Sequence, residues 1–399
     1  MDRVSSLLDL SYEDLVGLLA EWGQPRYRAD QIWDWVYRKL ATDARQMSNL
    51  PGELRARLAA LTVIDPLERL LEQRSADGQT IKWLFRLPVL DAPVAEAATI
   101  ETVLMFYDEA GIAARDRRTV CISTQAGCAM GCAFCATGQG GLARNLTAGE
   151  IVAQVLAAAR WLRDAGGQRP GEGDGASSLA STSGAGSARR LTHVVVMGMG
   201  EPFANFEALW EALRRITDPR GFGLGARHIT VSTVGLPQGI RRMTEEPLHP
   251  SVSAGQINLA ISLHAPNDTL RSQLVPVNRR YPIAALMAAV QDYIARTNRR
   301  VTFEYALIDG VNDAPELARE LAGLLRPLRA ATGAVLCHVN LIPLNPVPHS
   351  SYCPSPPPRV AAFQAILEKA GIPTTVRSRR GLDIDAGCGQ LRRRILPSR

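Results

Sequence analysis

Through the middle and C-terminal parts of the chain, short apolar runs alternate with longer stretches whose apolar residues recur at helical spacing. RTVCIST, LTHVVVMG, RHITVST, INLAISLH, RVTFEYALI and AVLCHVNLIPL read as six buried strands. GEIVAQVLAAARWLRD, FEALWEALRRI, PIAALMAAVQDYIART and APELARELAGLLRPL read as the helices between them. Strands largely interleaved with helices are the signature of parallel βα units. Six such units predict an α/β chain folded as a partial (βα)6 barrel rather than a closed eight-fold one. Polar residues gather just after each strand, where such barrels place their active sites.

The flanks have a different texture. Residues 1 to about 75 read as helical: QPRYRADQIWDWVYRKL sets Ile32, Trp33, Val36 and Leu40 on one face, with Arg26, Arg28, Arg38 and Lys39 as a basic complement. From about 80 to 123, TIKWLFRL, IETVLMFY and RTVCIST are short β-type runs. These changes predict a small helical N-terminal accessory domain over 1–95, a core over 96–380 and a separate C-terminal segment over 381–399. Residues 165–190 break the pattern, with 17 Gly, Ala or Ser among 26 residues. They read as a disordered, dispensable surface insertion.

Composition narrows the class. Hydrophobic residues at 46% and charged residues at 21% allow a large core and exclude a chain disordered throughout. No apolar run approaches the roughly 18 residues of a membrane span, and MDRVSSLLDLSYEDL lacks the layout of a secretion signal. A soluble, cytoplasmic chain without membrane contact is the expectation. The net charge of +6 leans toward an anionic partner such as nucleic acid. Only Lys39, Lys82 and Lys369 are lysine, so 42 of the 45 basic residues are arginine. GC-rich coding would give that bias as readily as phosphate recognition.

Seven cysteines are too few and too uneven for a disulfide scaffold. Cys128, Cys132 and Cys135 crowd together in CAMGCAFC just after a predicted strand, while Cys121, Cys337, Cys353 and Cys388 are dispersed. A structural zinc site takes four closed ligands. A [4Fe–4S] cluster takes one thiolate per iron, so three thiolates leave one iron open to a small molecule. Cys121 is a poor fourth ligand, because an extended segment of that length spans roughly 20 Å. The spacing favours a cluster. A zinc-containing, non-catalytic RNA-binding protein is the alternative from a different class.

The stretches IETVLM, CISTQAGCAMGCAFCATGQGG, ARNLTAGEIV, VVMGMGEP, ITVSTVG, SLHAPND, NLIPLNP and GLDIDAGCGQL, in this order, carry a specific resemblance. The chain resembles the radical S-adenosylmethionine (SAM) enzymes, and within them the dual-specificity 23S rRNA and tRNA adenine-C2 methyltransferases. The likeness runs over nearly the whole chain apart from 165–190. Leu142 departs from it, standing where an aromatic residue is usual. The neighbouring adenine-C8 methyltransferases share the cluster and the cysteine pair and are the alternative within the class; the motif set and length lie closer to the C2 branch. Methylthio-transferring enzymes need a second cluster, for which the remaining cysteines are too scattered.

The resemblance implies that Cys128, Cys132 and Cys135 hold one [4Fe–4S] cluster with SAM at its open iron. It further implies that Gly200, Glu201, Ser232, Ser262, Leu263, His264 and Asn345 contact SAM. Adenine C2 is an sp² carbon with no lone pair to attack a methyl group, so ordinary displacement fails there and radical chemistry is needed. In the family one SAM methylates a cysteine, matched here by Cys388, and a second SAM generates the radical that activates that methyl. Cys121 matches the cysteine that resolves the RNA adduct by forming a disulfide, and Glu101 matches the proton acceptor. The expected substrates are adenine 2503 of 23S rRNA and adenine 37 of tRNA. An external electron donor such as flavodoxin and a monomeric state complete the expectation.

Each residue also has a plainer reading. Gly200 and Glu201 suit a strand-to-helix turn, and a Ser or Asn at a strand end is commonly a turn residue. Cys121 suits a buried strand thiol, and Glu101 a solvent-facing position. Cys388 lies near Arg392, Arg393 and Arg394, whose charge would favour its thiolate. Cys337 and Cys353 are expected to be structural, and the basic N-terminal helices to contact RNA.

Overall fold

The structure is a computed structural model that describes residues 6–88, 98–107, 117–164, 190–249, 254–330, 332–347 and 350–392. Three helices open the chain: α1 (Tyr12–Glu21), α2 (Tyr27–Tyr37) and α3 (Gly52–Leu61). Ser11 starts α1 with a capping box, its hydroxyl accepting from the Asp14 N–H while the Asp14 carboxylate accepts from Ser11. The apolar face read from the sequence is the buried one: Ile32, Trp33 and Val36 are enclosed, with Trp33 edge-on to Tyr12 at 5.6 Å between ring centroids.

The helical reading of the first 75 residues needs correction after Leu61. β1 (Glu68–Arg74) is a strand, antiparallel to β2 (Thr80–Arg86). ERLLEQR hides this because β1 forms one edge of the sheet, exposed at four of its seven positions, so it shows no alternation of apolar and polar residues. β2 is buried at six of seven positions, and it supplies the ladder that fixes β1. β3 (Thr99–Tyr107) and β4 (Arg117–Cys121) continue the antiparallel wing.

Beyond β4 the chain folds back through β5 (Gln125–Gly127), α4 (Ala136–Gln139) and β6 (Leu142–Asn145), then runs into α5 (Ala148–Asp164). Alternation follows: β7 (His193–Val196), α6 (Phe206–Thr217), β8 (Ile229–Thr233), α7 (Pro237–Glu245), β9 (Asn258–Ser262), α8 (Asp268–Leu274) and α9 (Ile283–Thr297). β10 (Val301–Leu307), α10 (Pro315–Leu325), β11 (Cys337–Pro343), α11 (Pro357–Lys369) and β12 (Thr374–Val376) complete it. One ten-stranded sheet runs β1-β2-β3-β4-β7-β8-β9-β10-β11-β12, parallel from β4 onward. The six predicted strands are β4 and β7 to β11. A short seventh parallel strand, β12, extends the row.

The N-terminal helices are fastened to the barrel. Arg215 of α6 donates to the Asp9 carbonyl at 2.9 Å, and the Gly149 N–H of α5 donates to the Asp9 carboxylate at 2.7 Å. Arg160 of α5 reaches the Leu40 and Ala41 carbonyls and pairs with Asp65 at 2.7 Å. Their apolar residues join the barrel's own core cluster. The expected insertion falls almost wholly on 165–189, outside the described residues, as do Arg393 and Arg394. No described helix is long and apolar enough to cross a membrane.

Candidate active site

The cysteine loop stands on a two-stranded base. β5 pairs antiparallel with β6, and a Cβ at Gly127 (φ +87°) would lie 1.9 Å from the Gly141 carbonyl oxygen, so only glycine fits there. The Cys128 N–H donates to that carbonyl at 2.9 Å, and the Cys135 N–H to the Cys132 carbonyl at 3.1 Å. All three thiols line one cavity of about 1080 Å³, mouth included. Burial pushes the Cys128 thiol up to about 11 and Cys132 well above its usual value, and neighbouring cysteines add to both shifts. Bound metal would reverse that preference, since coordination deprotonates a thiol. Among the described residues no three His, Cys, Asp or Glu side chains are gathered as a single metal ion requires.

The strand ends supply the rest of the wall. Gly200, at φ +101°, has no room for a side chain: a Cβ would sit 2.6 Å from the Gln125 Cβ. Glu201 lines the cavity with its carboxylate already held by the Phe203 N–H at 3.0 Å, the Thr233 hydroxyl at 2.7 Å and the Val234 N–H at 2.9 Å. Burial raises its pKa to about 7. The Ser232 and Ser262 hydroxyls face each other at 3.4 Å. His264 adopts a left-handed backbone (φ +61°), and its Nδ1 accepts from the Ala306 N–H at 3.0 Å. Burial, helped by the Arg271 charge, lowers its pKa to about 3, so the ring is neutral with its proton on Nε2. Asn345 donates to the Cys388 carbonyl at 3.0 Å, while its Oδ1 is buried with no hydrogen-bond partner among the described residues.

Leu263 is not part of the wall. Its side chain is in the core, its N–H donates to Glu304 and its carbonyl accepts from Arg271.

Cys388 lines this cavity and also a second one of about 550 Å³, which it shares with Cys121, Met105, Tyr107 and Arg377. The structure therefore brings the two distant cysteines to one space. Burial pushes the Cys121 thiol up to about 12, and the Cys388 charge adds to it. Of the three C-terminal arginines expected near Cys388, only Arg392 is among the described residues. Arg392 turns its guanidinium to Asp385 at 3.9 Å. Arg377 is the neighbouring charge, held above its usual pKa chiefly by Cys388.

Glu101 lines neither cavity. It is only 1% exposed, which rules out the solvent-facing alternative. Its carboxylate faces Lys82 Nζ at 3.4 Å and accepts from the Arg392 N–H at 3.0 Å. Cys337 is buried in β11 and Cys353 is exposed, and neither approaches the cavities.

Three site residues escaped the sequence reading. Arg271, fully buried, ties the ends of two strands by donating to the Leu263 carbonyl at 3.1 Å and to that of Val234 at 2.5 Å, with Asn278 at 2.7 Å. Gln125 accepts from the Glu201 N–H at 2.8 Å. Arg377 borders both cavities. Their residue types carry no spacing signal, because each acts through where the chain lands after folding.

Residues 5–64 match the family described as ribosomal RNA large subunit methyltransferase N-terminal domain. Among curated proteins, the probable dual-specificity RNA methyltransferase RlmN of Chloroflexus aurantiacus is 50% identical over 385 residues, 96% of this chain and 92% of that one. Its counterpart in Streptococcus mutans is 43% identical over 388 residues, 97% and 94% of the two chains. Among solved structures, a radical SAM methyltransferase from Sphaerobacter thermophilus superposes with a TM-score of 0.83 at 50% identity, covering 97% of this chain and 99% of that one. With identity at this level sustained along almost the whole length, and the three-cysteine loop and both distant cysteines in one connected site, the chain belongs to the dual-specificity RNA methyltransferase RlmN family.

Proposed function

We propose that this chain is a radical SAM methyltransferase that methylates carbon 2 of adenine in 23S rRNA and tRNA by way of a methyl group carried on Cys388. One observation carries the reading: Cys388 borders both the cavity of the three-cysteine loop and the cavity of Cys121. A methyl-carrying sulfur needs access to the methyl donor first and to a resolving thiol last. Cys388 has both.

The residues present fit the family's cofactors. Three thiols without a fourth suit a [4Fe–4S] cluster with one open iron. Asn345 lines the same cavity, and its buried Oδ1, with no hydrogen-bond partner among the described residues, is an acceptor available to an ammonium group. Gly200 lines the same cavity, where Gln125 leaves no room for a side chain. Cys128, Cys132 and Cys135 would hold the cluster, and Gly200, Glu201, Ser232, Ser262, His264 and Asn345 would hold SAM. Leu263 could contribute only through its backbone. Together these cofactors supply the one-electron chemistry that an unreactive aromatic carbon requires.

The chain's own groups do the rest. Cys388 Sγ takes and presents the methyl group, in a cavity that the Arg377 guanidinium also borders. Asn345 holds the Cys388 carbonyl and so fixes the sulfur's position. Glu101 is the proposed acceptor of the adenine C2 proton, a role it can take only when the arm's Arg392 N–H releases its carboxylate. Cys121 closes a disulfide with Cys388, which breaks the sulfur–carbon bond to the RNA. The exposed basic residues of the N-terminal helices are the proposed RNA contact, and an external one-electron donor of the flavodoxin type, a monomeric state and a cytoplasmic setting accompany the reading.

The test is anaerobic reconstitution with iron and sulfide, incubation with SAM and RNA, and mass mapping of methylated adenines. Methylation at C2, lost in Cys388→Ala, supports the proposal. Methylation at C8, or a Cys388→Ala protein that still methylates C2, overturns it.

A further inference from the structure

The last turn of the cysteine loop is also the shelf on which the C-terminal arm rests. α4 begins directly after Cys135, and its first two residues both bond to the arm. The Ala136 N–H donates to the Gly389 carbonyl at 2.8 Å, and the Thr137 hydroxyl donates to the Leu391 carbonyl. These carbonyls lie one and three residues beyond Cys388. Thr137 is only 4% exposed, so no solvent replaces its hydroxyl if it is lost. From the other side, Asn345 holds the Cys388 carbonyl, and Gln390 donates to the Pro346 carbonyl at 3.0 Å. Glu101 grips the Arg392 N–H. Among the described residues Thr137 is thus the single side chain of the cysteine loop that hydrogen-bonds to the arm, and it sits two residues from a thiol.

We propose that Thr137 is a positioning residue whose hydroxyl, through the Leu391 carbonyl, makes the seating of Cys388 depend on the fold of the three-cysteine loop. This rests on the reading of Cys128, Cys132 and Cys135 as cluster ligands. A loop folded around its cluster presents the Ala136 N–H and the Thr137 hydroxyl together in the register the arm needs. A loop without that scaffold loses the register, and the arm's remaining ties at Asn345, Gln390 and Glu101 do not by themselves keep Cys388 in its seat.

The test uses the full chain, before any SAM is added, in cluster-free and iron-and-sulfide-reconstituted forms. Iodoacetamide labelling of each cysteine is followed by peptide mass spectrometry, with exposed Cys353 as the internal reference. In the wild type, reconstitution should slow Cys388 labelling at least tenfold relative to Cys353. Thr137→Val should abolish most of that protection with iron content unchanged, and Thr137→Ser, which restores the hydroxyl, should recover it to within twofold. Hydrogen exchange across residues 383–392 should follow the same order, which separates arm release from global unfolding. Equal Cys388 protection in Thr137→Val and wild type, at equal iron content, would overturn the proposal. A wild-type chain that binds no iron would instead overturn the cluster reading beneath it.

Discussion

The two halves of the sheet place their chemistry differently. In the parallel half, the groups that face the cavity follow strand ends: Gly200 and Glu201 after β7, Ser232 and Ser262 at the ends of β8 and β9, Asn345 after β11. In the antiparallel wing, Lys82 and Glu101 sit in mid-strand on β2 and β3, both at most 2% exposed, and they meet the C-terminal arm rather than the cavity. A strand end can change its loop without disturbing the core, which is why parallel barrels collect function there. A mid-strand ion pair has no such freedom. It couples a functional contact directly to the stability of the sheet.

That contrast can be broken most forcefully at the cysteine loop. Replacing Cys128, Cys132 and Cys135 together by alanine should remove all bound iron and all methylation of RNA while leaving the melting transition of the sheet in place, as read by iron analysis, activity and circular dichroism. The wing should answer oppositely. Lys82→Met leaves the buried Glu101 carboxylate facing one charge fewer and should cost about 3 kcal/mol of stability in denaturant unfolding, the scale of breaking a buried pair. If Lys82→Met proved as stable as wild type, the distinction between the halves would fail.

Acid provides a sharper probe of the cavity wall. His264 holds its pKa at about 3 in the folded chain, against about 6.5 for an unfolded histidine. Between those values the unfolded chain binds the additional proton, so this residue's contribution falls as pH is lowered. Glu201, raised to about 7, acts in the opposite sense: the folded chain binds the additional proton, and stability from this group is gained as pH falls from 7 toward the ordinary glutamate range. The two effects oppose each other in mildly acidic solution. His264→Asn should uncover the glutamate, shifting the pH slope of unfolding free energy by up to about 1.4 kcal/mol per pH unit between roughly pH 3 and 6.5. An unchanged slope would mean that His264 titrates normally.

The smallest expected effect is on RNA affinity. Arg45 and Arg55 flank a shallow cleft on the N-terminal helices with Gly52 and Ala59. Reversing both charges should weaken RNA binding severalfold and flatten its dependence on salt by up to about one unit of log–log slope per lost phosphate contact. Cutting away the N-terminal helices is a poor substitute, since Arg160 and Arg215 bind their carbonyls and their apolar faces complete the barrel core.

Much of this was legible because it is written locally. The interleaving of apolar runs located β4 and β7 to β11, and C-x3-C-x2-C located the loop that the structure closes with β5 and β6. Less legible was whatever depends on the partner. β1 is a strand because β2 offers it a ladder, and LEQR alone carries no sign of that. Glu101 reads as a polar interruption of IETVLM until β2 and the arm close over it. Arg271 in NDTLRSQL resembles a solvated helical arginine, yet it is buried under two strand ends. Arg377 arrives beside Cys388 from just beyond β12, a placement that no local pattern around Cys388 announces.

The most direct test loads Cys388 with an isotopically labelled methyl group, removes free SAM, then adds unlabelled SAM, reductant and RNA for a single turnover under anaerobic conditions. Peptide and nucleoside mass spectrometry then follow the label. The account predicts that it leaves Cys388 and appears on adenine C2 in equal amount. Label retained on Cys388 while unlabelled methyl reaches the RNA would contradict it.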